Sequence, residues 1–477
     1  MSKDKILLIS ILLIAAFLRF SGLDSHALWI DEETTVMETK GIYNKSNLDF
    51  ILSDECSYRD VINANINSDS GNGILHVSLL HLVFEIVPVS DFNLRIVSVI
   101  FGIFLVYFIF SFAKILFNNT KWALLCAALA ALHPALIIYS QEGRPYMMAV
   151  LFSFLSTVFY YKIAFKGETT IKNLLAYGVF AAIAFLSHYM MLYIFVVHGV
   201  FALFLKLNRK QFLYLIGAGA IVAISFLLWY VSGGDEGFKF MTSVNEAYKI
   251  KSDENPQDSF YGHTTALSIV QGWVQIILYI TGNLLQNTGI QLRVLFPFLV
   301  LPFFVFGFVF FNQKDKRKEI LFFLVLFFMG PAFSMALAIK AGHNISFQPN
   351  YSLFSVPYFI ILLGYFVVSI KDSARKYLYA IPLLLIIALA VYSIFIDYAH
   401  PGQQKENGYQ ILVDDIRKKC EEDKSVEALT FKSDKDAIMF NIYLGNSTCI
   451  RHQKIDKHLT ERYLIEYSDK TREMILK

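Results

Sequence analysis

Long apolar runs, separated by short polar connectors, dominate this chain. Runs of spanning length occupy residues 6–23, 92–117, 122–140, 146–161, 174–186, 190–205, 212–231, 292–311, 320–339, 351–370 and 377–396. A helix needs roughly twenty residues to cross a bilayer, so the pattern predicts about eleven transmembrane helices. Short connectors carry the basic residues: Lys162, Lys166 and Lys172; Lys206, Arg209 and Lys210; Lys314, Lys316, Arg317 and Lys318; Lys371, Arg375 and Lys376. By alternation they fall on one side together with Lys3 and Lys5, and the positive-inside rule makes that side cytoplasmic. The first run resembles a secretion signal, but Arg19 interrupts it and no small-x-small cleavage site follows directly, which indicates an uncleaved anchor.

The other face carries the long connections. The first, about 24–91, is acid-rich (Asp49, Asp54, Glu55, Asp60, Asp69) and ends in an apolar stretch, 74–87, too short to span comfortably. That stretch contains His76, His81 and Glu85 and is expected to lie near the interface. A second polar loop is expected over 232–266, followed by a surface-lying helix over 267–285. After Asp397 the pattern changes to helix-like (411–419), strand-like (428–431) and helix-like again (437–444), which predicts a small extracytoplasmic α/β domain. The expected fold is therefore an all-α polytopic membrane protein over 1–396 with an α/β C-terminal domain over 397–477.

Composition agrees with this class. The chain has 477 residues, of which 56% are hydrophobic and 16% aromatic, and its mean hydropathy is +0.50. A net charge of +3, spread in small clusters, gives no reason to expect nucleic acid as a partner. Four dispersed cysteines form neither a CxxC metal signature nor a dense disulfide framework. Cys420 and Cys449 could pair in an oxidising compartment, or remain two thiols.

Two polar knots on the same face carry the candidate chemistry. Trp29-Ile30-Asp31-Glu32-Glu33 follows the first apolar run. Three carboxylates there could simply begin a solvated loop or cap a helix. Alternatively, Asp31 or Glu32 could act as general base toward an attacking hydroxyl, or adjacent acids could ligate a divalent cation. The second knot is Tyr139-Ser140-Gln141-Glu142-Gly143-Arg144-Pro145-Tyr146, packed between two runs joined by almost no loop. Arg144 could snorkel to headgroups, but a guanidinium also suits bidentate phosphate binding, with Gln141, Glu142 and Tyr146 beside it. Arg95, His188-Tyr189, and His343 with Asn344 and Tyr351 sit near the same face, whereas His133 and His198 lie inside runs.

In order, the anchor, Asp31-Glu32, Gly71-Asn72-Gly73-Ile74-Leu75-His76, Leu94-Arg95-Ile96-Val97-Ser98, His133-Pro134, Gln141 to Tyr146 and Ser187-His188-Tyr189 resemble integral-membrane glycosyltransferases of the GT-C superfamily. More closely, the chain is similar to bacterial relatives of protein O-mannosyltransferases and lipid A aminoarabinose transferases. The resemblance implies transfer of a sugar, with inversion, from a polyprenyl-phosphate donor to a hydroxyl of a lipid, glycan or protein. It places the reaction on the extracytoplasmic face of a bacterial inner membrane. It implies Asp31 as the catalytic acid residue of the family and Arg144 as binder of the donor phosphate. Where relatives carry Arg-Tyr before an apolar run ending in proline, this chain has Asn350-Tyr351. A transporter or flippase is the rival class, but such proteins favour charges near the bilayer midplane and symmetric repeats, and neither is evident.

Overall fold

The structure is a computed structural model that describes residues 2–24, 27–43, 56–69, 71–257, 262–282, 303, 306–371, 409–421, 426–431, 433–444, 450–455, 458, 463–467 and 473–476. The chain divides into two compact units. One comprises Met1–Ser21, Ser98–Gln141 and Pro145–His400; the other comprises Gly22–Val97, Glu142–Arg144 and Pro401–Lys477.

The first unit is helical. Among the described residues, five helices are long and apolar enough to cross a membrane: Asp91–Phe117 (which begins in the second unit), Tyr146–Ala164, Arg209–Glu254, Lys314–Ala341 and Pro349–Ile370. A sixth candidate is the broken pair Thr120–Leu132 and Pro134–Gln141, bent by 63°. Ile171–Ser187, Tyr189–Phe204 and Ala266–Ile280 are apolar but shorter. These helices make a multi-pass membrane protein. The expected span over 377–396 and most of that over 292–311 lie outside the described residues.

Local chemistry explains the bend. Proline has no N–H, so Pro134 cannot satisfy the carbonyl of Ala130, four residues earlier. The fully buried Arg19, on the Lys3–Phe20 helix, donates to Ala130 O at 3.3 Å and Ala131 O at 3.1 Å. The charge that interrupts the first apolar run therefore serves the broken helix. Close packing surrounds it, because a Cβ on Gly102 would meet Ser140 Oγ at 2.2 Å and Arg19 Nε at 2.9 Å.

The region 232–266, expected as a polar loop, is instead largely helical. Arg209–Trp229 runs through one wide turn, Tyr230–Gly234, into Asp235–Glu254. The polar composition misled the expectation, because acids in the first turn (Asp235, Glu236) and Lys251 in the last suit the helix dipole. Gly233, at φ 117°, supplies the break between the two directions.

The second unit contains three helices from the first long connection: Ile30–Thr39, Tyr58–Asp69 and Ile74–Ile86. Gly71 and Gly73 both adopt positive φ, near 72° and 75°. The Gly-Asn-Gly motif thus reverses the chain between the second and third of these helices without a Cβ penalty. The C-terminal segment contributes the helix Tyr409–Glu421, β1 (Val426–Phe431), the helix Asp434–Leu444, β2 (Ile450–Ile455), β3 (Tyr463–Tyr467) and β4 (Glu473–Leu476). The four strands form one sheet in the order β2-β1-β3-β4. β1 and β2 are parallel, so the connection between them must cross over, and the Asp434–Leu444 helix makes that crossover. The pairs β1–β3 and β3–β4 are antiparallel. Leu412, Val413, Ile416, Leu429, Phe431, Ile438, Met439 and Phe440 are buried. Cys449 and the side chain of Cys420 lie outside the described residues.

Candidate functional site

The Ile30–Thr39 helix opens with Asp31, Glu32 and Glu33 in its first turn, where acids complement unpaired N–H groups. The helix begins at Ile30, so the three acids belong to it rather than to a solvated loop. What distinguishes them is their partners.

Glu32 is 1% exposed and has no spare capacity. Its Oε1 accepts from Arg95 Nε at 2.8 Å and from the Gly143 N–H at 2.7 Å. Its Oε2 accepts from Arg95 Nη2 at 2.7 Å and from the Trp29 N–H at 3.4 Å. Arg95 also donates to Leu23 O and Ala27 O. This buried pair ties together the helix carrying the acids, the start of the Asp91–Phe117 helix and the segment Glu142–Arg144. Gly143 is required at that junction, because a Cβ there would lie 2.3 Å from Leu94 Cγ.

Arg144 is buried and reaches the same helix. Its Nη1 donates to Thr35 Oγ1 at 2.8 Å and to Asp31 O at 3.2 Å, and its Nη2 pairs with Asp69 Oδ2 at 2.8 Å. Glu33, 5% exposed, pairs with Lys435 at 2.7 Å. Three cations thus neutralise three acids: Arg95 with Glu32, Arg144 with Asp69, and Lys435 with Glu33. The half-buried Asp31 is different. Through its carboxylate it makes no hydrogen bond or ion pair with any described residue.

Two further carboxyl groups have raised proton affinity. Burial pushes Glu142 up to about 8, the negative charges of Glu32 and Asp31 adding to it while Arg144 and Arg95 oppose. Its Oε2 is buried without a hydrogen-bond partner among the described residues. Burial pushes Glu38 up to about 7, with Asp69 adding; Ser68, Arg144 and Asn65 oppose. Asn65 Nδ2 donates to Glu38 at 3.0 Å, and Ser68 Oγ also donates to it. Asp69 is likewise raised by burial, against the pull of Arg144. His76, fully buried, is pushed down to about 3 by burial and by Arg144, so it is neutral near pH 7.

Of the residues expected to form the site, Asp31, Glu32, Arg95, Glu142 and Arg144 come together in the second unit. Gln141, Tyr146, His343 and Tyr351 belong to the first. Gln141 Nε2 donates to Leu18 O, Arg19 O and Ser21 O, satisfying carbonyls at the end of the Lys3–Phe20 helix. The Tyr146 hydroxyl accepts from Asn350 Nδ2 at 2.7 Å, so Asn350 is engaged with the second knot. The Tyr351 ring lies 6.3 Å from that of His188. His343 is 1% exposed, and neither of its ring nitrogens has a hydrogen-bond partner among the described residues. An apolar cavity of about 490 Å³ in the first unit, lined by Tyr160, Tyr177, Phe185, His198 and Phe226 among others, contains none of the expected site residues.

Sequence reading passed over Glu38, Asp69 and Lys435 as site residues. One signal was available for Glu38. Positions 31, 35 and 38 follow the i, i+4, i+7 rule and share one helical face. Asp69 and Lys435 lie far along the chain from their partners and carried no local signal. Among the described residues, no group of three or more His, Cys, Asp or Glu side chains is placed to hold a metal ion.

Comparison with known proteins adds the family context. Residues 72–230 match the dolichyl-phosphate-mannose-protein mannosyltransferase family. ArnT from Cupriavidus metallidurans in the apo state superposes with a TM-score of 0.55 at 11% identity, over 93% of this chain and 85% of that one. The same protein bound to undecaprenyl phosphate gives 0.52 at 13% identity, over 91% and 74%. The archaeal oligosaccharyltransferase AglB from Archaeoglobus fulgidus, in complex with an inhibitory peptide and a dolichol-phosphate, also gives 0.52 at 13% identity. The chain shares its fold with ArnT and AglB. The likeness to AglB spans 94% of this chain but only 64% of AglB. A search of curated proteins found no match.

Proposed function

We propose that the protein is an inverting glycosyltransferase. It moves a sugar from a polyprenyl-phosphate donor to an acceptor hydroxyl on the extracytoplasmic face of the cell membrane. The observation that carries this reading is Asp31: among the described residues its carboxylate has no cation, beside three acids that each have one. A base must be free of a competing ion pair to take a proton, and the neighbouring acids Glu32 and Glu33 are each held by a cation.

The step balances as a single displacement. The acceptor oxygen attacks the anomeric carbon while its proton passes to Asp31. The bond from that carbon to the phosphate oxygen breaks, and polyprenyl phosphate leaves. Phosphate needs little help from an acid; it needs positive charge at the departing oxygen, which Arg144 is placed to supply. Asp69 now engages Arg144 Nη2, so donor entry exchanges one anion for another on the guanidinium. Glu32 and Arg95 act as the hinge pin that keeps Asp31 and Arg144 in register. Dolichol-phosphate on AglB and undecaprenyl phosphate on ArnT support a lipid phosphate as the donor's carrier. We further take residues 1–396 as the transferase region and 397–477 as an extracytoplasmic α/β domain.

The deciding experiment gives the purified protein, in proteoliposomes, undecaprenyl-phosphate sugars carrying a radiolabel. Label should pass to an extractable lipid, glycan or protein acceptor of the envelope. Movement of intact labelled donor across the bilayer, without transfer, would identify a flippase and overturn the reading.

A further inference from the structure

In the first unit the helices Leu192–Phe204 and Arg209–Trp229 are joined by a short connector, which ordinarily leaves antiparallel helices packed on one another. Here the apolar cavity of about 490 Å³ is lined by both. On the second helix its lining runs from Phe212 to Phe226, about 21 Å along the axis. That is an elongated space, more than half of the roughly 30 Å hydrocarbon thickness of a bilayer. The polar groups in its wall are satisfied within the protein. His198 Nε2 lies 3.1 Å from Thr157 Oγ1, its Nδ1 lies 3.2 Å from the Tyr177 hydroxyl, and the Tyr160 hydroxyl donates to His198 O at 2.8 Å. The wall therefore suits a hydrocarbon chain. Leu203, Phe212 and Ile216, which also line it, are exposed, so the cavity opens toward lipid.

Two glycines point to an occupant. Glycine inside a helix costs stability relative to alanine, and close packing is one reason for it. Such packing accounts for Gly178 and Gly364, whose Cβ atoms would meet Ile221 Cδ1 at 2.6 Å and Phe117 Cε2 at 2.7 Å. Gly199 and Gly219, one on each of the two helices lining the cavity, differ. Among the described residues no atom lies within 4 Å of where either Cβ would be. A ligand lying against both backbones gives these positions a reason to be glycine.

At one end the apolar stripe runs into positive charge. Arg209 precedes Phe212 by three residues and Ile216 by seven, so it shares their helical face. Lys206, Arg209 and Lys210 are all exposed, and none forms an ion pair with a described residue. Lys210 Nζ lies 5.8 Å from the centre of the Tyr214 ring. Gln211 Nε2 donates to Ile163 O at 2.8 Å and Ala164 O at 3.3 Å, which brings the connector bearing Lys162, Lys166 and Lys172 alongside. Glu168 is the one acid in the sequence of these two connectors.

We propose that the cavity is a binding site for an anionic phospholipid, with an acyl chain between the two helices and the phosphate on Arg209, flanked by Lys206 and Lys210. Basic residues at the end of an apolar groove between membrane helices suit such a headgroup. The site is separate from the proposed donor site. The donor phosphate is assigned to Arg144, which in sequence adjoins the start of the Tyr146–Ala164 helix, whereas Lys162 lies in its last turn; that helix is about 28 Å long.

The test titrates full-length, delipidated protein in detergent with dioleoyl phosphatidylglycerol or dioleoyl phosphatidylcholine, which share acyl chains and differ in net charge. Native mass spectrometry reads the first bound equivalent. Wild type should bind phosphatidylglycerol about tenfold or more tightly than phosphatidylcholine, and combining Lys206→Gln, Arg209→Gln and Lys210→Gln should bring the two within about twofold. Gly219→Leu should fill the cavity and weaken the first phosphatidylglycerol about tenfold or more with all three cations in place. Its unfolding temperature without lipid should equal or exceed that of wild type, because leucine favours the helix and enters open space. Gly199→Leu, on the other helix, should behave alike and serves if Gly219→Leu does not fold. Equal affinities for the two lipids in wild type would overturn the site. Undiminished phosphatidylglycerol binding in both glycine variants would also overturn it, leaving only attraction of headgroups to a basic surface. Undecaprenyl phosphate that displaces phosphatidylglycerol from wild type and fails to bind either glycine variant would overturn it as well, by making the cavity part of the donor site. Sugar transfer is read in none of these arms, so a failure of the proposed reaction leaves their outcome intact.

Discussion

Replacing Glu32 by Gln tests whether this acid holds the site together or performs chemistry. Glu32 accepts four hydrogen bonds, two from Arg95 and one each from the Gly143 and Trp29 backbones. An amide has one acceptor oxygen and brings an NH2 against the donors of Arg95 or Gly143. It also removes the counter-charge of an arginine that is 3% exposed. Breaking a buried pair by removing one partner costs about 3–5 kcal/mol, mostly because a charge is left buried and uncompensated. Glu32→Gln should therefore lower the unfolding temperature in detergent clearly, whereas Asp31→Asn should hardly change it. Replacing both members, as Glu32→Leu with Arg95→Met, should recover much of the loss, since a buried pair is often matched by apolar residues of similar volume. Turnover should remain low in that double variant, because the Gly143 N–H has lost its anchor. Thermal unfolding followed by tryptophan fluorescence, with transfer assays alongside, reads both effects. Wild-type stability in Glu32→Gln with a large loss of turnover would refute the hinge-pin role and return Glu32 to the chemistry.

Gly143→Ala should cost about 1–3 kcal/mol through overpacking, since its Cβ would enter the Leu94 side chain, and should be partly relieved by Leu94→Ala in an unfolding assay. Arg144→Lys keeps the charge but loses the fork that spans Thr35, Asp31 O and Asp69; KM for the polyprenyl-phosphate donor should rise at least tenfold in steady-state kinetics. Stability should fall as pH rises from about 7 to 8.5, above the range in which His76, neutral when folded, takes up a proton on unfolding. Glu38 and Glu142 hold protons up to about 7 and about 8 when folded but release them near the ordinary 4.5 when unfolded, so the unfolded state binds fewer protons across that interval. Unfolding temperatures measured across this range should show that slope, and Glu38→Gln and Glu142→Gln should each flatten it.

Much of this architecture was legible because the bilayer imposes simple rules. An apolar run at 92–117 becomes the helix Asp91–Phe117, and runs at 146–161 and 351–370 become Tyr146–Ala164 and Pro349–Ile370. The two polar knots were legible for the same reason, since charge near an apolar run stands out. Polar helices were not: 235–254 lacks an apolar face long enough to separate it from a loop, and only the structure reveals its helix. The assignment of partners was equally out of reach. Glu32 and Asp31 are neighbours in sequence with nothing local to distinguish them, and their separate roles depend on Arg95, Gly143 and Lys435, which approach from elsewhere in the chain. Gln141 sat in the most suggestive motif, yet it caps a helix end.

The central claim is that Asp31 is the base of a sugar transfer, and its most direct test is single-turnover transfer from a radiolabelled undecaprenyl-phosphate sugar by Asp31→Asn. General base catalysis contributes typically a hundredfold or more. The account predicts a variant with wild-type unfolding temperature and donor binding whose transfer rate is lower by at least that factor. Transfer at a rate close to wild type would contradict it.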